Sequence, residues 1–157
     1  MKITLIVVGK IDKRYIIDGF AEYEKRLSHY CKFEVKVIPD VKNSKTMTSA
    51  IQMQKEGELI LAAIRSSVEV ILLDEKGSEY TSVDFARFIE KKTVLGLKEI
   101  TFVIGGPYGF SPDVKSKATA MVSLSQMTFS HQIVRLVFME QLYRAMTIIK
   151  GEPYHHE

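Results

Sequence analysis

Five apolar runs of strand length, separated by segments of helical period, constrain this chain more than any other feature of its sequence. The runs fall at Lys2–Val8 and at residues 33–38, 68–73, 100–104 and 121–124. Parallel strands must be joined by crossovers of a dozen or more residues, and helices usually fill them. The alternation therefore predicts an α/β fold, a mostly parallel sheet flanked by helices. Ile16, Ile17, Phe20, Tyr23 and Leu27 lie along one stripe of a first helix. Two more helices are expected over about 49–64 and 82–95. Ser111-Pro112-Asp113 has the residues of a helix start: a capping serine, proline in the first turn and an acid facing the dipole. The last helix is expected from about 130 to 149, with Gly151 and Pro153 as stop signals.

No internal repeat, low-complexity tract or linker interrupts this pattern, so residues 1–157 read as a single domain. No apolar run approaches the roughly 20 residues needed to cross a bilayer. The opening run is too short for a signal peptide and lacks a small-residue cleavage site. The single cysteine, Cys31, rules out an internal disulfide framework and fits a reducing cytoplasm, where it reads as a structural thiol. The formal net charge of +3 permits a polyanionic partner without requiring one, because Lys10, Lys13, Lys25, Lys42 and Lys45 are scattered rather than clustered.

Function is better sought in three loops of the second half. The third run ends at Leu73-Asp74 before Glu75-Lys76-Gly77, the fourth before Gly105-Gly106-Pro107-Tyr108-Gly109, and the fifth before Ser125-Gln126-Met127-Thr128-Phe129-Ser130. Ligands of open α/β sheets sit beyond the carboxyl ends of the strands, so neighbouring strands here would direct all three loops into one crevice. The glycine loop alone reads first as a tight strand-to-helix turn. It is not a P-loop, since no Gly-Lys-Ser/Thr follows. It also comes too late, and with no acid after the next strand, for a dinucleotide fingerprint. An extended loop of this kind can set Met127 and Phe129 over the faces of a bound adenine, but pattern alone favours them as core residues. His131 and Arg135 share a helix face, as do Glu140 and Arg144, which read as a surface ion pair. A zinc reading of His155 and His156 lacks accompanying ligands, so no metal is expected.

Taken in order, residues 104–109, 124–128, His131-Gln132-Ile133-Val134-Arg135, Glu140-Gln141-Leu142-Tyr143-Arg144-Ala145 and Pro153-Tyr154-His155 strongly resemble the RlmH-type family of SPOUT methyltransferases. Val8-Gly9-Lys10 and Glu22-Tyr23-Glu24-Lys25-Arg26 extend the resemblance over essentially the whole chain. It implies a SPOUT-type fold with a C-terminal trefoil knot, a homodimer, and S-adenosylmethionine as methyl donor. The donor would be bound at Leu73, Gly105, Leu124, Ser125, Gln126, Met127, Thr128 and Phe129. The implied acceptor is N3 of a pseudouridine in 23S rRNA of the large ribosomal subunit, read on the assembled ribosome in the cytoplasm. Arg144, Tyr154, His155 and His156 would contact RNA. One departure stands out: where the family usually carries Lys or Arg after Pro-Tyr-His, this chain has His156, a charge that depends on pH.

N3 of pseudouridine must lose a proton before it attacks, so a base or an anion-stabilising group is needed, and His131, Arg135 and His155 are the candidates. The tail after Gly151 is expected to leave the last helix and reach a neighbouring surface, by resemblance the partner's active site. That helix is apolar over a wide arc, including Leu136, Val137, Phe138, Leu142, Tyr143 and Met146, which favours burial on more than one side and hence a dimer. Two alternatives remain: a SPOUT enzyme acting on tRNA, and a non-catalytic RNA-binding module of ribosome assembly.

Overall fold

The computed structural model describes residues 1–65 and 69–156. In chain order the elements are β1 (Lys2–Val8), α1 (Arg14–Leu27), β2 (Lys32–Ile38), α2 (Ser49–Ala63), β3 (Glu69–Glu79), α3 (Ser82–Val94), β4 (Glu99–Ile104), α4 (Pro112–Lys117), β5 (Ala120–Ser123) and α5 (Ile133–Ile149), with a short 3₁₀ turn at Ser44–Thr46. The five strands form one sheet in the order β2-β1-β4-β3-β5. Each neighbouring pair runs parallel. The expected strand 68–73 opens on Val68, which lies outside the described residues.

Both faces of the sheet are covered, which is why its strands read as near-continuous apolar runs rather than alternating ones. Along β1, Ile3, Leu5 and Val7 join a core with Phe102, Phe138 and Leu142, on the side where α5 packs against α1 and α3. Ile6 and Val8 point the other way, into a second core with Ile60, Val70, Leu72, Val103 and Val114 beneath α2 and α4. Phe102 and Phe138 pack at a tilt of 53° with 4.9 Å between ring centres, tying β4 to α5. Of the stripe read on α1, Ile16, Phe20 and Leu27 are buried, whereas Ile17 lies at its margin and is 42% exposed. Thr48, Thr81 and Ser111 cap α2, α3 and α4 by accepting from the amides of Ile51, Asp84 and Val114.

β3 differs from the sequence reading in a way that shapes the site. It continues beyond Leu73 to Glu79, with a shift of register against β5 between Leu73 and Ser78. Asp74-Glu75-Lys76 reads as a loop because it is charged. Pairing of Ser78 with Val122 and Glu79 with Ser123 restores the strand after the bulge.

Candidate active site

The sheet order sets β4, β3 and β5 side by side, so the loops after β4 and β5 converge with the bulge of β3, which stands where the first of the three loops was expected. They enclose a cleft of about 970 Å³, walled by residues 73–76, 104–110, 122–125, 127–131 and Val134, with Met53, Pro112 and Lys115 at its edge. A cleft of this size, apolar in its floor and edged by backbone and a few charges, suits a ligand with flat apolar faces and polar edges.

Close backbone packing makes the walls. An added Cβ at Gly77 would sit 2.6 Å from backbone atoms of Met121 and Val122, so only glycine lets the β3 bulge lie against β5. The loop after β4 closes on itself, the Gly109 amide donating to the Gly106 carbonyl at 3.2 Å with Gly109 in the left-handed region at φ 77°. At Gly105 an added Cβ would meet the Phe110 ring at 3.0–3.3 Å. After β5, the Ser123 hydroxyl donates to the Ser125 carbonyl at 3.0 Å, and the Met127 amide donates to the Ser125 hydroxyl at 2.9 Å. These bonds give the aperiodic segment a fixed course. Met127 and Phe129 are 79% and 37% exposed at the cleft, so neither is the core residue that pattern alone favours.

Of the expected donor contacts, Leu73, Gly105, Leu124, Ser125, Met127, Thr128 and Phe129 line the cleft, and His131 joins them. Gln126 is exposed and is not part of the wall. The expected start of the last helix at residue 130 shifts to Ile133. His131 and Gln132 form a turn before it, and the Ser130 hydroxyl accepts from the Ile133 amide at 3.2 Å.

Arg135 stands apart from the cleft. It is fully buried, and its guanidinium donates to the carbonyls of Val8 and Gly9, at 2.9 Å to Gly9. Gln132 donates to the Lys10 carbonyl at 3.0 Å, so the first turn of α5 is fastened to the end of β1. Burial lowers the Arg135 pKa, opposed by the charges of Asp40 and Asp12.

The tail lies at the other end of α5. Seventeen residues span about 25 Å at helical rise, and that length separates His131 from the tail. Instead of projecting outward, Tyr154 folds back onto its own chain, edge-on to Tyr143 at 4.7 Å, with its hydroxyl 3.2 Å from Glu140 and 3.5 Å from the Tyr23 hydroxyl. Glu140 and Arg144 are a partly buried pair rather than a surface one, about a quarter exposed. Arg144 also lies over the Tyr154 ring at 4.8 Å and 3.3 Å from Nδ1 of His155. His156 is exposed. The structure thus brings Arg144, Tyr154 and His155 together, but does not bring them to His131 within one chain.

Four residues near the cleft escaped the sequence reading. Met53 reaches it from α2, far away in the chain. Gly77 and Gly106 were read only as loop residues. Glu56 is 3% exposed with its carboxyl against Gly106. The signal for Glu56 was a charge beside the stripe Met53, Gly57 and Ile60 of α2, where an acid has no reason to be unless it has a use.

A family model described as "Predicted SPOUT methyltransferase" matches residues 1–155. The ribosomal RNA large subunit methyltransferase H of Parabacteroides distasonis is 55% identical over 157 residues, covering 100% of both chains. Those of Porphyromonas gingivalis and Christiangramia forsetii are 54% and 52% identical, the latter over 99% of each chain. Among solved structures, the SpoU methyltransferase AviRb from Streptomyces viridochromogenes overlaps 96% of this chain and 60% of its own, with 9% identity and a TM-score of 0.46.

Proposed function

Because the chain belongs to the SPOUT methyltransferase family, we propose that its three-strand cleft binds S-adenosylmethionine and that the enzyme methylates N3 of a pseudouridine in 23S rRNA of the large ribosomal subunit. The observation that carries this reading is the cleft itself. Leu73, Gly105 and residues 124–129, far apart in sequence, meet at the β3 bulge and the ends of the neighbouring β4 and β5, with only Gln126 left out of the wall.

S-adenosylmethionine supplies an electrophilic methyl group on a sulfonium. The chain's own residues then have three tasks: to hold the donor, to orient the acceptor nitrogen in line, and to receive its proton. The cleft loops hold, through backbone groups fixed by the Ser123–Ser125–Met127 bonds. His131, which lines the cleft, takes the N3 proton at a ring nitrogen in this reading. Arg135 is assigned a positioning role, since it holds the turn bearing His131 against β1. Much of the rate comes from orientation, worth up to roughly 7–11 kcal/mol for a well-aligned pair.

RNA contact falls to Arg144, Tyr154, His155 and His156. With the tail one helix length from its own cleft, a second copy of the chain is the simplest source of a tail near His131, and the active unit is a homodimer. A C-terminal trefoil knot belongs to the same reading, as does action in the cytoplasm on the assembled ribosome. The test is transfer of labelled methyl from S-adenosylmethionine to ribosomes from a strain lacking the enzyme, with the modified nucleotide mapped. Label in tRNA instead would favour another SPOUT activity, and failure to bind the donor would favour a non-catalytic assembly module. Sedimentation of a monomer at low micromolar concentration would remove the shared site.

A further inference from the structure

Beside the cleft lies a carboxylate that the reaction does not use. Glu56, on α2, is 3% exposed. Its Oε1 accepts from the Gln52 side chain at 2.8 Å. Its Oε2 is buried without a hydrogen-bond partner among the described residues. An added Cβ at Gly106 would sit 2.2 Å from this oxygen, so the carboxyl fills the space behind that glycine. On its other side Gly106 forms part of the cleft wall. The next residue, Gly57, makes the same kind of approach: an added Cβ there would lie 2.3 Å from the Ser111 hydroxyl, so α2 is pressed flat against the loop after β4. Only one layer of backbone, with no side chain in it, separates the carboxylate from the cleft.

A buried carboxyl oxygen with no donor costs stability, and such costs persist where function uses them. Among the described residues no lysine or arginine pairs with Glu56. Burial, reinforced by the Asp40 charge, raises its pKa against the opposing effects of the Gln52 hydrogen bond and of His131, so the ionised form lacks a strong positive partner and a cation beyond Gly106 would stabilise it. Resting on the donor reading above, we infer that Glu56 is a specificity-determining residue whose negative charge, felt through Gly106, favours a cationic sulfonium ligand in the cleft over the neutral thioether left after transfer. Methyl transfer breaks the methyl–sulfur bond with its electron pair remaining on sulfur, so the ligand loses its positive charge as the N3–carbon bond forms and the N3 proton departs. A site that attracts the charge holds the donor and loosens its grip on the product. The other acidic wall residues, Asp74 and Glu75, are more exposed, and Lys76 and Lys115 offset them.

The test is calorimetric titration of S-adenosylmethionine and S-adenosylhomocysteine into the wild type, Glu56→Gln and Glu56→Leu. A unit charge acting across one backbone layer at an effective dielectric near 20 changes a cation's affinity by about five- to fiftyfold. Both variants are expected to lose that factor for S-adenosylmethionine and to keep wild-type affinity for S-adenosylhomocysteine. Glu56→Leu should also melt no lower than the wild type, because a buried carboxyl oxygen without a donor has been removed. Because Glu56 is buried, the wild-type ratio should change little between low salt and roughly 0.5 M salt. Either variant that folds decides the matter. If the wild type binds both ligands and the variants weaken both equally, or leave the ratio within about twofold, the charge role is overturned while the donor reading stands. If the wild type binds neither ligand, the donor reading fails and takes this inference with it.

Discussion

Replacing Arg135 by Met tests whether this residue acts on chemistry or on architecture. The guanidinium is fully buried and donates to two carbonyls, Val8 and Gly9, that end β1. Met fills much of the volume but leaves both acceptors bare, at about 1–3 kcal/mol each. Part of this is recovered, since a buried charge whose Nε lacks a partner among the described residues disappears with it. The net loss is about 2–4 kcal/mol, which for a chain of this length lowers the melting temperature by roughly 5–15 °C. Arg135→Lys should fall between, because one ammonium cannot fork to both carbonyls. Urea unfolding followed by circular dichroism gives the stability. Donor titration at a temperature where the variant is folded gives the state of the cleft. The two are expected to decline together, since α5 would loosen from β1 and carry His131 with it. Unchanged stability and donor affinity with methyl transfer abolished would refute the argument and return Arg135 to the chemical step.

Four further outcomes are expected. Gly77→Ala should destabilise by about 1–3 kcal/mol in urea unfolding and weaken donor binding, because the added methyl meets β5 backbone that cannot swing aside. Gly105→Val should abolish donor binding in titration by pushing Phe110, 4% exposed, out of the loop, and a variant with normal affinity would remove Gly105 from the site. Truncation after Gly151 should leave donor binding near normal, lower the melting temperature by a few degrees through loss of the Tyr154 contacts, and remove methylation of ribosomes. Burial pushes the Cys31 thiol up to about 11, so at pH 8 it stays protonated. Its reaction with a thiol-specific disulfide reagent should be roughly a hundredfold slower than that of a free cysteine.

By itself the sequence determined the alternation of strands and helices, most of their boundaries and the place of the cleft. These are local properties: apolar runs, helical spacing, caps such as Ser111, and the rule that ligands lie at the carboxyl ends of parallel strands. It also carried the family motifs, of which residues 104–109, most of 124–128 and His131 meet in the cleft, although nothing in periodicity explains why they do. Tertiary structure alone decided what depends on distant partners. The strand β3 runs on through a charged segment because β5 takes up its pairing after the bulge. Arg135, a candidate for catalysis when only its helix face was known, is a clamp on β1, because the carbonyls it satisfies lie more than a hundred residues earlier. Glu56 faces the back of Gly106 only because α2 crosses the loop after β4. The tail, free by sequence, is folded onto α1 and α5 because Tyr23, Glu140, Tyr143 and Arg144 happen to offer a ring, an acceptor and a cation at one place. Local pattern reports what a residue prefers, and only the packed fold reports what surrounds it.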